Sequence, residues 1–165
     1  MKIYLTRHAH YLPQYGDDGS ITEIGQNQIS KLAERFIREG VRFGQVYSSS
    51  KIRAVESAQL LCEKMGIEGI VLSEQLVEDM PEEEVSDVVN RMKGFIEDIK
   101  KGTGSDSCAI FSHCFAIKYF LNSIKKDPNR RILPHAGVIL IDYSGSTPEI
   151  MEYDSRTHLQ GIETL

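Results

Sequence analysis

An α/β fold, three layers deep with helices covering both faces of a mostly parallel central sheet, is predicted by three observations on this 165-residue chain. Short β-prone runs recur along it, segments with apolar residues at three- and four-residue steps fill the gaps, and glycine and proline fall at the joins. Strands alternating with helices of this length require crossover connections, which place helices on both sides of a sheet. The composition is 41% hydrophobic and 26% charged, with no internal repeat or low-complexity tract. One domain over residues 1–165 is the expected organisation.

The β-prone runs are Lys2 to Thr6, Gln45 to Tyr47, Gly69 to Leu72, Ser107 to Phe111 and Gly137 to Tyr143, with a weaker one at Glu149 to Tyr153. Between the first two, Thr22 is placed to cap a helix whose buried face carries Ile29, Leu32, Ala33, Phe36 and Ile37 and which stops at Gly40. Ile52, Val55, Leu61, Cys62 and Met65 form a second stripe that ends at Gly66. Val85, Val88, Val89, Met92, Phe95, Ile96 and Ile99 form a third, and Ile117, Phe120, Leu121 and Ile124 a fourth.

Several classes of function are disfavoured at once. The three cysteines, Cys62, Cys108 and Cys114, are odd in number and contain no CxxC pair, so reduced thiols are expected rather than a disulfide framework or zinc knuckle. A net charge of -5 argues against a general nucleic-acid or anionic-membrane surface, while leaving room for a compact arginine cluster that holds one phosphate. The apolar run of MKIYLTRHAHYLPQ is too short for a signal peptide or a spanning helix, and a soluble cytoplasmic protein is expected.

In open α/β sheets ligands bind beyond the carboxyl ends of the strands. Here the first strand runs into Arg7 and His8, the second into Ser48, Ser49 and then Arg53, the third toward Glu78, and the fourth into Ser112 and His113. Two arginines, two histidines and a carboxylate are a complete set for phosphoryl transfer through a covalent intermediate.

These segments carry a resemblance. Leu5-Thr6-Arg7-His8-Ala9 resembles the RHG signature of the histidine phosphatase (phosphoglycerate mutase-like) superfamily. Ile21 with Thr22-Glu23-Ile24-Gly25 and Gln28 resembles its LTxxG segment, and Tyr47 to Ala54 its SSPxxRA segment, followed by Ser57-Ala58 in place of Thr-Ala. Leu76-Val77-Glu78 is similar to its LxE segment, and Ser112-His113-Cys114 to the SHG that carries a second histidine. The likeness spans almost the whole chain. Ala9 and Cys114 stand where glycine is usual and Ser50 where proline is, but no charged group is lost.

The resemblance implies a phosphoglycerate mutase-like fold and His8 as the nucleophile, and a neutral imidazole is a competent phosphoryl acceptor near pH 7. Arg7 and Arg53 can offer forked donors to the transferring group, and His113, matching the second histidine, another donor to the same oxygens. Gln14 falls near a position often held by asparagine in the mutase-like branch, and its amide can reach for a phosphate oxygen. Glu78 is the candidate general acid for the leaving oxygen, with Glu74, Asp79 and Glu82 as alternatives in the same acidic stretch. That stretch, Glu78 to Asp87, would repel highly anionic substrates if it forms the rim. No cofactor is implied. Metal binding by the His8/His10 pair is disfavoured by the neighbouring arginines. His135 and His158 belong to none of the matched segments and are expected in surface or loop roles.

About thirty-five residues separate Glu78 from His113, enough for one helix, one strand and a minimal lid. A phosphatase of the short branch is therefore expected, hydrolysing a phosphomonoester or phosphohistidine on a small metabolite or a protein side chain. The competing expectations are a phosphoglycerate mutase-type transferase and a non-catalytic phosphate-binding module.

Overall fold

The computed structural model describes the chain apart from Tyr15, Asp17, Asp79 and Thr103 and the side chains of residues 152–155. Asp79, one of the alternative acids, thus lies outside the described residues. The elements run β1 (Lys2–Arg7), α1 (Glu23–Arg38), β2 (Gln45–Ser48), α2 (Ile52–Met65), β3 (Val71–Leu72), a 3-10 turn (Glu74–Leu76), α3 (Val85–Gly102), β4 (Ser107–Ser112), α4 (Cys114–Ile124), β5 (Val138–Asp142), β6 (Glu149–Ser155) and a closing 3-10 turn (Thr157–Leu159).

The sheet has six strands in the order β3-β2-β4-β1-β5-β6. Its first four are parallel neighbours, with Arg7 opposite Ser112 on β1 and β4 and Ser48 opposite Phe111 on β2 and β4. This register aligns the carboxyl ends of three strands in one row. β5 is antiparallel to β1; β6 is antiparallel to β5 because the connection from Tyr143 to Pro148 can close a hairpin but not a crossover.

Alternation along β4 feeds two cores. Cys108 and Ile110 pack with Met92, Phe95, Ile96, Ile117 and Phe120 of α3 and α4. Ala109 and Phe111 pack with Ile29, Leu32, Phe36, Ala58 and Leu61 of α1 and α2. Helices thus lie on both faces, and the α/β three-layer expectation holds. No described helix is long and apolar enough to cross a membrane.

Three details of the helical faces differ from expectation. Ile37 and Val85, expected on buried stripes, are 57% and 50% exposed; each sits at the edge of its apolar arc, near a helix end where the neighbouring layer no longer covers it. On α2, Ile52 and Val55 are only half-buried, and the buried face runs instead through Arg53, Ala54, Ser57, Ala58, Leu61 and Cys62. Arg53 and Ser57 lie four residues apart on one face, and turning that face inward brings both to the end of β1. Ser57 Oγ accepts from Ala9 N at 2.9 Å. The polar demand of the cleft, invisible to a hydrophobic pattern, sets the rotation of this helix.

Thr22 caps α1 as expected, its hydroxyl accepting from Gly25 N at 3.2 Å. Gly25 itself has a steric reason: a Cβ there would lie 2.2 Å from the backbone oxygen of His10. Gly25→Ala gains up to about 1 kcal/mol of helix propensity but forces the main chains of α1 and the His8–His10 segment apart, an overpacking cost of about 1–3 kcal/mol. A net loss is expected as a lower urea midpoint; an unchanged or higher midpoint would show that this contact relaxes freely.

Candidate active site

At the ends of β1 and β4 the backbone is tied on both sides. Arg7 N donates to Gly137 O at 3.1 Å, His8 N to Ser112 O at 3.0 Å, and Ala136 N to His8 O at 3.1 Å. Arg7 and His8 are consequently fixed by the sheet rather than by a loop. The rings of His8 and His113 lie 5.1 Å apart, and both residues are buried.

Two contacts set the tautomer of His8. Its Nδ1 is 2.9 Å from Ala9 O, and a carbonyl oxygen can only accept, so Nδ1 carries the hydrogen. Arg53 Nε, which can only donate, is 3.2 Å from His8 Nε2. Nε2 is therefore unprotonated, its lone pair accepting from Arg53 Nε. Burial is the largest influence on this ring and, with His113, Arg7 and Arg53 nearby, holds its pKa well below 6.5 against the opposing bond to Ala9. His113 is likewise held well below 6.5, first by burial and then by Arg53.

Arg53 spans the site. Besides His8, it donates from Nη1 to Asp18 Oδ1 at 3.1 Å, has Nη2 4.0 Å from Glu78 Oε2, and lays its guanidinium 4.7 Å from the centroid of the Tyr11 ring. Arg7 donates from Nη1 to Leu133 O at 2.7 Å and from Nη2 to His135 Nε2 at 2.9 Å. His113 Nε2 is 2.8 Å from Ser49 Oγ. Two buried nitrogens of this cluster, Arg7 Nε and His113 Nδ1, have no partner among the described residues. Buried polar atoms are normally satisfied, so this pair marks where an oxyanion fits.

Glu78 approaches from the other side of Arg53. Its Oε1 accepts from Phe115 N at 3.0 Å and from Cys114 Sγ at 3.4 Å, at the start of α4. Burial raises the Cys114 thiol to about 11, so the sulfur stays a protonated donor. Arg91 of α3 holds the backbone leading to this carboxylate: Nη1 donates to Gln75 O and Val77 O, and Nη2 to Glu78 O at 3.0 Å. The same guanidinium pairs with Glu83 at 2.6 and 2.9 Å. Glu74 and Glu82 are exposed, and Glu78 is the described member of the acidic stretch that reaches the arginine cluster.

Gln14 does not join the group. It is exposed, with its backbone N–H on Asp18 O, because the loop turns at Gly16 (φ +66°) and carries Asp18 inward instead. Asp18 had no motif to reveal it. Burial opposes its ionisation, but the Ile52 and Gly19 N–H groups and Arg53 together lower its pKa.

His135, expected in a surface or loop role, is buried, its ring 5.4 Å from that of His8. Arg7 can only donate to Nε2, so Nδ1 carries the hydrogen and donates to Thr164 Oγ1 at 2.8 Å. Burial, then Arg7 and His10, push its pKa down to about 3. His135 and Ala136 occupy the centre of a tight turn, closed by Gly137 N on Pro134 O, in which Ala136 has φ +55°. His158 is also buried, and its Nε2 bonds Ala136 O at 2.9 Å, a structural role that steadies this left-handed residue. His10 Nδ1 meets Thr22 Oγ1 at 2.8 Å. Gln28 accepts from His10 N and donates to Ile162 O and Thr164 Oγ1, stitching the His8 loop to the C-terminal segment. The spacing of His135 from any matched segment gave no signal of this.

At the strand ends the structure thus gathers an imidazole whose tautomer is fixed, two arginines, a second histidine and a carboxylate. The chain belongs to the histidine phosphatase superfamily (branch 1), whose family model matches residues 3–82 and 73–155. A Caenorhabditis elegans 6-phosphofructo-2-kinase/fructose-2,6-bisphosphatase is 41% identical over 63 residues, 36% of this chain and only 14% of that relative's length. Among solved structures, an Entamoeba histolytica phosphoserine phosphatase mutant in complex with phosphoserine superposes with a TM-score of 0.78 at 16% identity, over 96% of this chain and 98% of that one. A phosphoglycerate mutase from Bacillus anthracis str. Sterne does so with a TM-score of 0.79 at 15% identity, over 98% and 96%. At these identities the structural likeness concerns the fold.

The three neutral histidines make stability depend on acid. Between pH 6.5 and their depressed folded values the unfolded chain binds more protons than the folded one, so stability is greatest above about pH 6.5 and falls as pH drops. Each histidine contributes up to about 1.4 kcal/mol per pH unit. The urea midpoint should decline steadily from pH 7 to pH 5, and His135→Gln, which keeps an acceptor for Arg7, should flatten that slope; a midpoint constant over this range would contradict burial as the controlling influence.

Proposed function

We propose that this protein is a metal-independent phosphatase that cleaves a phosphomonoester or phosphohistidine through a covalent intermediate on His8. The observation that carries the proposal is the unprotonated Nε2 of His8, fixed by Ala9 O and Arg53, beside an arginine nitrogen and an imidazole nitrogen, Arg7 Nε and His113 Nδ1, without partners among the described residues. The lone pair attacks phosphorus, the bond from phosphorus to the leaving oxygen or nitrogen breaks, and Glu78 delivers the proton that this atom needs. Water then attacks the phosphohistidine, the P–N bond breaks, and Glu78 takes the proton back.

Arg7, Arg53 and His113 bind the equatorial oxygens and offset the charge that moves onto them. Arginine does here what a divalent cation does elsewhere, and two guanidiniums would repel such an ion. Hydrolysis is favoured over mutase chemistry because only residues 77–84 join the 3-10 turn to α3, a cover too short to retain an intermediate while it reorients. Such a minimal lid also suits one histidine phosphatase domain over residues 1–165. The phosphatase and mutase similarities support the reaction class. The proposed setting is cytoplasmic, with a small phosphorylated metabolite or protein side chain as substrate.

Incubation with p-nitrophenyl phosphate in EDTA, followed by quenching, should yield an acid-labile, base-stable phosphoryl group on His8. His8→Asn should lose turnover and adduct together. Tight phosphate binding with no turnover would instead support a binding module. Efficient transfer from a bisphosphate primer to 3-phosphoglycerate would favour the mutase.

Glu78→Gln should slow esters of poorly acidic alcohols by roughly a hundred- to ten-thousand-fold while sparing p-nitrophenyl phosphate, whose leaving group departs without help. Arg91→Ala, by freeing the backbone of residues 75–78, should reproduce that split in weaker form. Equal losses on both ester types would show that neither residue acts through the leaving group.

A further inference from the structure

Glu78 lines more than the phosphoryl cleft. It also walls a hollow of about 320 Å³ whose other sides are Glu83, Val85, Val88, Phe115 and Tyr119. Phe115 and Tyr119, four residues apart on α4, stack with ring centroids 6.2 Å apart and planes at 29°. Phe115 and Val85 are 43% and 50% exposed. Large apolar side chains left uncovered around a polar group have the composition of a ligand site.

Its position relative to the chemistry is defined by one carboxylate. Glu78 Oε1 is bonded to the N–H of Phe115, while Oε2 is 4.0 Å from Arg53, whose Nε contacts the nucleophile. A leaving group that takes its proton from Glu78 therefore departs at the mouth of this hollow. The exposed charge beside it is negative. Glu83 is paired with Arg91, Glu82, Glu84 and Asp87 are exposed on the same segment, and among the described residues no lysine or arginine lines the hollow.

We propose that the hollow is the leaving-group subsite, and that it selects phosphomonoesters of aromatic or apolar alcohols, uncharged or cationic, over those whose alcohol bears a carboxylate or second phosphate. The selection rests on the phosphatase function proposed above and adds a substrate class to it. The apolar walls gain by covering hydrocarbon, the aromatic faces tolerate a cation, and the surrounding carboxylates disfavour an anion.

Esters of phenols with similar acidity separate these effects: phenyl, 2-naphthyl, 4-(aminomethyl)phenyl and 4-carboxyphenyl phosphate. In the wild-type protein kcat/KM for the naphthyl ester should exceed that for the carboxyphenyl ester by about tenfold or more, with the aminomethyl ester also above the carboxyphenyl one. Phe115→Ala and Tyr119→Ala should each collapse the naphthyl-to-phenyl ratio toward one. Val85→Lys, a change at an exposed position, should raise the carboxyphenyl ester relative to phenyl. A flat wild-type panel, or ratios unmoved by all three substitutions, would overturn the subsite. Phosphoramidate, which releases only ammonia and leaves the hollow empty, keeps the two proposals apart. If it phosphorylates His8 while the ester panel is flat, the subsite alone fails; if no donor phosphorylates His8, the phosphatase function fails and the subsite with it.

Discussion

The constraint on which this structure turns is the burial of two guanidiniums beside imidazoles that stay neutral. Arg7 and Arg53 are 7% and 4% exposed, and a desolvated cation is unfavourable unless it is paired. Arg53 has Asp18, and Glu78 at longer range, whereas Arg7 donates to a carbonyl and a neutral histidine. Both carboxylates thus face Arg53, while Arg7 Nε and His113 Nδ1 have no partner among the described residues. A compact oxyanion answers both needs. Burial first, and the nearby guanidiniums with it, keep His8, His113 and His135 unprotonated, so in the proposed reaction the buried cluster that holds the substrate also prepares the nucleophile.

Such a cluster persists only if its members cannot relax away from one another, and each is held from a different direction. The sheet fixes Arg7 and His8 through bonds to Ser112 and Gly137. The turn at Ala136, held by His8 and His158, presents His135 to Arg7. Thr164 and Gln28 bring the C-terminal segment against the same histidine. On the far side, Arg91 gathers five acceptor atoms from the segment that carries Glu78. Strain at one backbone position and several buried polar bonds are concentrated around a few side chains, where function benefits from immobility.

The legible part of this arrangement was the part encoded locally. Six strands and four helices follow from period and punctuation, and Arg7, His8, Arg53 and His113 come together because each stands at the end of a strand, directly after one or at the start of the following helix. Asp18, Tyr11, His135 and Thr164 were not legible, since each meets the site through loop or tail geometry that no periodicity describes. Gln14 was misplaced for the same reason: the loop turns at Gly16, and the side chain that reaches Arg53 comes from four residues later. The rotation of α2 is a related case. A hydrophobic stripe would have turned Ile52 and Val55 inward, but Arg53 and Ser57 occupy that direction because buried polar partners wait for them at Ala9, Asp18 and His8.

Arg53 also gives the resting site a definite state. Its Nε–H points into the lone pair of His8 Nε2, so the nitrogen proposed to attack phosphorus is engaged until something competes for the guanidinium. An incoming phosphoryl group, with its own charge and several acceptor oxygens, is a stronger partner for a planar fork than a neutral imidazole. As Arg53 turns its donors to those oxygens, Nε2 is released next to the phosphorus atom, and the bond from Nδ1 to Ala9 O means that no proton must first be removed. A lysine would supply charge, but one ammonium could not hold Asp18, guard His8 and face Glu78 in a single plane. In the proposed reaction, substrate binding and exposure of the nucleophile are therefore the same exchange of hydrogen bonds.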